Sequence, residues 1–312
     1  MNISIFDTHA DTPYEAFKRD MSLTSNSLHI SLDKAIKYDT YCQCMAIWSD
    51  KELSDNGAFD RFIEIEEYFN KCVRESSTAE ICRTYNDIER TVQEGKRAII
   101  LTVEDARLLG GDIRRMDALR QRGVRILTFQ WQGETCIGGG FDTEIGLTEF
   151  GKEVAHTCAS FGIIPDISHA NEKTARDIIE IMQEYNRPVI ATHSNSYAVC
   201  PHKRNMTDAL FDTLVYSGGI VGISLAPQHL SADSRASSET VLMHIDHYAQ
   251  LHGIEHICLG CDLDGIETTP SDINNISEVE KIAECMLRHG YTESNVNALF
   301  YENARRFFAQ NL

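Results

Sequence analysis

Proline is scarce in this chain, six among 312 residues, and no low-complexity tract accompanies it, so nothing reads as a linker or a disordered tail. One domain over residues 1–312 is expected. Long apolar runs are missing too: none approaches the roughly 20 residues that a membrane span needs. No basic segment followed by a long apolar stretch opens the chain, so a cytoplasmic protein without membrane contact is expected. Positive charge is also in short supply, with 29 Lys and Arg against 47 Asp and Glu and a formal charge of −18. Such a surface repels phosphate backbones and anionic lipid, which sets nucleic acid aside as a partner.

Cysteine is not scarce, at ten residues. Without a secretion signal, a chain of this length keeps its cysteines as buried thiols rather than as a disulfide framework. Cys42 and Cys44, and Cys258 and Cys261, invite a metal reading. Both pairs lie in apolar runs that read as strands, and no second C-x-x-C follows at zinc-ribbon spacing, so packing cysteines are expected.

Short apolar runs alternate with helical periodicity along the whole chain. The strand candidates are 3–6, 43–48, 98–103, 124–129, 163–167, 189–192, 220–224 and 256–260, near-continuous apolar runs of the kind buried on both faces in a parallel sheet. Helical spacing fills the gaps, as around Phe59, Phe62 and Ile63, in "RRMDALRQRG" with its glycine stop, and over 207–216 and 240–251. Eight strand–helix repeats point to an α/β fold, a TIM-like (β/α)8 barrel. A doubly wound open sheet is the alternative, but the G-x-G-x-x-G turn it often carries is missing after the first strand. The glycines of "CIGGGFD", 136–142, open no helix, and a flexible loop is expected there.

In such a barrel the reactive groups gather where strands end at the C-terminal face. The first strand runs into Asp7, His9 and Asp11, which in an extended backbone would share one face. "AIILTVED" ends in Glu104 and Asp105, "IIPDISH" in His169, "PVIATHSNS" in His193, and "ICLGCDLDG" in Asp262 and Asp264. Taken singly, an Asp or His after a strand is often a turn former or a helix cap. Five such coincidences are another matter. Imidazoles and carboxylates converging from separate strands suit one or two divalent cations, zinc above all, with a carboxylate able to bridge a pair. The richest histidine cluster holds His244, His247, His252 and His256; His244 and His247 fall in a predicted outer helix, where packing or solvation is expected.

The stretches "DTHADTP", "TVEDARLLGG", "LTFQW", "DISHAN", "THSNSYAVCPHKRN" and "GCDLDGIETTP" resemble, in order and spacing, the motifs of the renal or membrane dipeptidase family, peptidase family M19 of the amidohydrolase superfamily. The resemblance runs from residue 5 to about 310, and its H-x-D opening is its most discriminating mark. It implies a metallo-dipeptidase with two Zn2+ ions: His9 and Asp11 on one, His169 and His193 on the other, and Glu104 bridging both. By the same resemblance Arg204 holds the substrate's terminal carboxylate and Asp262 shuttles the proton. A small dipeptide, with a D-residue tolerated at its C-terminal position, is the implied substrate. Asp7 is expected to play a supporting part. The family's membrane-bound members carry a signal peptide and a lipid anchor, features this sequence does not display, so "membrane" is not transferred.

One departure stands out. Mammalian-type members place a histidine near the substrate carbonyl after the fourth strand, and here "LTFQWQGET" places Trp131, whose indole offers a single N–H. That leaves a related binuclear amidohydrolase, acting on another amide or a lactone, as the alternative. A non-catalytic barrel is disfavoured because no ligand position is degraded. Homodimerisation is allowed for, although no interface is legible.

Overall fold

The computed structural model describes residues 2–312. Its strands are β1 Ile5–Asp7, β2 Tyr41–Ile47, β3 Ala79–Ile81, β4 Arg97–Glu104, β5 Ile126–Thr128, β6 Ile164–Asp166, β7 Ile190–Ala191, β8 Ile220–Ile223 and β9 Ile257–Leu259. All pairings are parallel, in the order β2-β1-β9-β8-β7-β6-β5-β4-β3, and β2 also pairs with β4. That last pairing closes eight strands into a barrel with helices between them, the predicted TIM fold. The predicted strands are all present, most of them a residue or two shorter than their apolar runs.

The ninth strand was not expected. β3 is three residues long and pairs only with the start of β4, Ala79 opposite Arg97, while β5 takes the same edge of β4 further on, Thr128 opposite Glu104. Three residues are too few to carry a legible alternation.

Pleat parity decides what each strand offers to the inside. Along β4, Ile99, Leu101 and Val103 pack outward against the helices, whereas Ala98 and Ile100 point inward. The same parity carries Thr102 inward and then Glu104. At the bottom of the barrel every strand that closes it contributes an apolar side chain: Phe6, Cys44, Ile100, Ile126, Ile164, Ile190, Ile220 and Cys258. The C-terminal helix Asn303–Asn311 seals this floor, with Phe308 stacked on Phe6 at 4.8 Å. One layer higher the inside turns polar. Thr8 Oγ1 donates to the Thr192 carbonyl at 2.6 Å, and Thr128 and Thr192 hydroxyls donate to Asp166 Oδ2 at 2.7 and 2.6 Å. Backbones approach closely in this layer: a Cβ on Gly260 would lie 1.9 Å from the Thr192 carbonyl oxygen, and one on Gly222 2.0 Å from it. No side chain fits at either position.

All ten cysteines are free, nine of them buried, as expected of packing thiols. The 136–142 segment departs from expectation. Ile137 to Gly140 are buried, Gly140 bridges to Ala170, and Gly138 accepts from the Thr135 N–H at 2.9 Å, so this is a packed loop. Its glycines fit for want of room rather than for mobility: a Cβ on Gly139 would lie 2.6 Å from the Ile145 carbonyl. Among the described residues no helix is long and apolar enough to cross a membrane.

Candidate metal centre at the barrel mouth

The mouth brings together His9, Asp11, Glu104, Trp131, His169, His193, Arg204 and Asp262. β1 ends at Asp7, so the shared extended face predicted for Asp7, His9 and Asp11 does not exist. Asp7 Oδ1 accepts the backbone N–H groups of Cys261, at 2.9 Å, and His9, at 3.2 Å, tying the ends of β1 and β9 together. Asp11 sits at the cap of helix Thr12–Arg19, and its Oδ2 lies 3.2 Å from His9 Nε2. Glu104 stands between two groups. Its Oε2 is 3.8 Å from His9 Nε2, and its Oε1 is 2.9 Å from His169 Nε2 and 3.5 Å from His193 Nε2. Asp262 Oδ1 is 4.0 Å from His9 Nε2.

Hydrogen bonds behind the rings set their tautomers. His169 Nδ1 lies 3.1 Å from the Trp131 carbonyl, which can only accept. Thr192 gives its hydroxyl proton to Asp166, so it accepts from His193 Nδ1 at 2.8 Å. Both rings therefore turn an Nε2 lone pair inward, and these two nitrogens are only 2.9 Å apart, with Glu104 Oε1 beside them. Burial, reinforced by neighbouring positive charge, holds both imidazoles well below their ordinary pKa and keeps them neutral. The two Nε2 lone pairs face each other at close range and repel, and among the described residues Glu104 Oε1 and Asp11 Oδ1 find no hydrogen-bond donor. A divalent cation is the ligand such a donor set fits.

The second group behaves alike. Burial and the Asp11 charge push Glu104 well above the carboxylate range, and burial pushes Asp262 up to about 7. Burial would lower His9, but Asp11, Glu104 and Asp262 outweigh it and raise it to about 10. Ligand atoms of His9, Glu104 and His193, and of His9, Asp11 and Asp262, lie within 4.8 Å of one another. Backbone strain marks the same place: His169, Asp262 and Asp264 adopt positive φ of 67°, 59° and 68°.

A cavity of about 450 Å³ opens over these groups, walled by Tyr14, Trp48, Trp131 and Phe141 and by the buried Arg204. Arg204 Nη2 donates to the His193 carbonyl at 2.8 Å and Nη1 to Ser194 Oγ at 3.1 Å, while Nε has no protein acceptor. Trp131 stands 5.3 Å from Trp48, ring centre to ring centre, so its indole builds wall while its carbonyl orients His169. The cluster around helix Ser238–His252 stays out of the mouth. His244 is buried between the Ser196 N–H and the Leu230 carbonyl, and His247 and His252 pair with Asp208 and Asp212.

A parallel barrel with imidazoles and carboxylates on its strand ends is the frame of a metal-dependent hydrolase. The family profile described as membrane dipeptidase, peptidase family M19, matches residues 1–311, and the chain belongs to that family. It is thus a dipeptidase of the metallopeptidase class. A crystal structure of a metallopeptidase from Rhodobacter sphaeroides, liganded with a phosphinate mimic of the dipeptide L-Ala-D-Ala, is similar over 100% of both chains, with a TM-score of 0.92 and 24% identity. The structure of a dipeptidase AC, also of family M19, matches 100% of this chain and 99% of its own, with a TM-score of 0.91 and 25% identity. An uncharacterized protein in the pqqA 5′ region of Klebsiella pneumoniae is 30% identical over 235 residues, 72% of this chain and 85% of its own.

Proposed function

We propose that the chain hydrolyses the peptide bond of dipeptides, accepts a D-residue at the C-terminal position, and works with two zinc ions. The observation that carries this reading is the pairing of donor sets across Glu104, with His9, itself beside Asp11, toward one oxygen and His169 and His193 toward the other. Nitrogen and oxygen donors of this kind suit zinc. Held by His9, Asp11, Glu104, His169 and His193, such ions would lower the pKa of water toward neutrality and would act as Lewis acids toward the scissile carbonyl.

The chain's own residues do the rest. Asp262, at the cavity wall and 4.0 Å from His9, takes a proton on its carboxylate and returns it to the departing amine. Arg204, immobilised by Ser194 and the His193 carbonyl, presents its remaining N–H groups to the terminal carboxylate of the substrate. A site that demands a free carboxylate one residue past the scissile bond selects dipeptides over longer chains. Trp131 and Trp48 close the wall against water. The L-Ala-D-Ala mimic held by the Rhodobacter protein supports the D-residue expectation.

The test combines metal analysis with a panel of L,L and L,D dipeptides. Two equivalents of zinc and turnover of both stereochemical series are expected; a fully loaded protein that cleaves no dipeptide would end this reading. Trp131, in place of an imidazole, favours the second reading, hydrolysis of another amide or a lactone, which would show as turnover of such compounds without a terminal carboxylate.

A further inference from the structure

Behind the metal centre, one hydroxyl touches both donor groups. The His9 and His193 rings stack, centroids 3.7 Å apart and planes inclined by 30°. Their front nitrogens converge on Glu104, His9 Nε2 3.8 Å from Oε2 and His193 Nε2 3.5 Å from Oε1. Their rear nitrogens converge as well. His193 Nδ1 lies 2.8 Å from Thr192 Oγ1, and His9 Nδ1 lies 3.4 Å from the same oxygen.

The direction of each bond follows from the donors and acceptors present. Asp166 Oδ1 accepts the backbone N–H groups of Ser168 and Thr192, both at 2.9 Å, and Oδ2 accepts the hydroxyls of Thr128 and Thr192 at 2.7 and 2.6 Å. A carboxylate only accepts, so the single hydroxyl proton of Thr192 goes to Asp166 and its oxygen keeps two lone pairs. Two ring N–H groups are there to meet them. The shorter bond serves His193. The longer one serves His9, whose Nδ1 has no other hydrogen-bond partner among the described residues. Ser168 Oγ, also 3.4 Å from Thr192 Oγ1, accepts the His193 backbone N–H at 3.1 Å. The main chain at Thr192 is held too, its carbonyl accepting from the hydroxyl of Thr8, the residue before His9, at 2.6 Å. Thr8, His9, Asp166, Ser168, Thr192 and His193 are all buried, so this network is closed to bulk water.

We infer that Thr192 is a positioning residue shared by the two metal groups: its hydroxyl, aimed by Asp166, accepts an Nδ1–H from His9 and another from His193, and so fixes one imidazole of each donor set. The inference rests on the assignment of His9 to one ion and His193 to the other. An imidazole whose Nδ1–H is held presents its Nε2 lone pair in one orientation, and such a bond behind a ligating ring is worth about 10- to 100-fold in metal affinity. With one oxygen behind both rings, its loss weakens both sites. A group behind a single ring would weaken one.

The experiment titrates metal-free wild type, Thr192→Val and Thr192→Ser with zinc against a competing chelator, and follows the ring N–H resonances of isotope-labelled histidine in the zinc-loaded proteins by NMR. Wild type is expected to bind two equivalents, and the Nδ1–H signals of His9 and His193 should both show through-space cross-peaks to the Thr192 side chain. Thr192→Val keeps the shape without the hydroxyl, and should weaken both equivalents about 10- to 100-fold and displace both signals. Thr192→Ser restores the hydroxyl and should bind within about threefold of wild type, which a merely packing role for Thr192 would not produce. A His9 signal in wild type with no cross-peak to Thr192 overturns the inference, whether or not the variants fold. So does a Thr192→Val loss confined to one equivalent or to the His193 signal, or a Thr192→Ser as weak as Thr192→Val; each of these leaves the two-ion reading in place. A wild type that binds fewer than two equivalents overturns that reading and this inference together.

Discussion

The floor and the mouth of the barrel are built from the same eight strands, a few residues apart, and they follow opposite rules. At the floor each inward position is filled by an apolar side chain and capped by Phe307 and Phe308. At the mouth the same parity delivers Glu104, and the strand ends add three imidazoles and two more carboxylates, crowded together in a buried polar cluster. Threonines, Asp166 and two glycines separate the layers. The floor lowers the free energy of the fold, whereas the mouth raises it in exchange for a ligand, which is how a stable scaffold holds a strained site.

The largest expected effect breaks the mouth. Glu104→Gln neutralises the carboxylate that both donor sets share, so metal analysis should find less than the wild-type content and kcat/KM should fall about 10³-fold or more, several kcal/mol of barrier. Because one of the repelling charges is gone, the metal-free variant should melt no lower than metal-free wild type. Asp262→Asn should act on chemistry alone, lowering kcat roughly 10²- to 10⁴-fold with metal content retained. An unchanged rate would remove Asp262 from the proton path.

The reverse is expected below. Phe308 is fully buried and stacked on Phe6. Phe308→Ala should cost about 3–5 kcal/mol in urea unfolding, since it opens a cavity in a packed floor. The rate per folded molecule should stay near that of wild type. A variant that kept its stability but lost activity would collapse the distinction between the two ends.

Much of this division is visible in the sequence, for a physical reason. A parallel strand buried on both faces is a run of apolar residues, so His9, Glu104, His169, His193 and Asp262 stand out as the polar residues that terminate such runs. What surrounds them is less legible. Asp166 and Thr192 lie inside their motifs, yet their role depends on contacts between neighbouring strands, which no local pattern encodes. β3 is too short for an alternation, and the packing of the glycine loop depends on Ile145 and Ala170 arriving from elsewhere. Asp7 shows the opposite error: a regular spacing suggested a common face, but the strand stops before the pattern begins.

The smallest expected effect tests whether a buried polar group away from the mouth behaves like the floor. His244 is fully buried, its two ring nitrogens taken by the Ser196 N–H and the Leu230 carbonyl. Burial pushes its pKa down to about 4, from an ordinary 6.5. Between these values the unfolded chain takes up a proton that the folded chain refuses, so the contribution to stability is complete above pH 6.5 and is lost as pH falls toward 4. By pH 5.5 the loss amounts to about 1 kcal/mol. His244→Gln has no proton to take up, so although its stability at pH 7 should be lower for want of one hydrogen bond, its decline from pH 7 to 4.5 should be shallower than that of wild type. Urea midpoints across that range, with equal metal loading, decide it: parallel curves would mean that the His244 proton does not distinguish folded from unfolded chain.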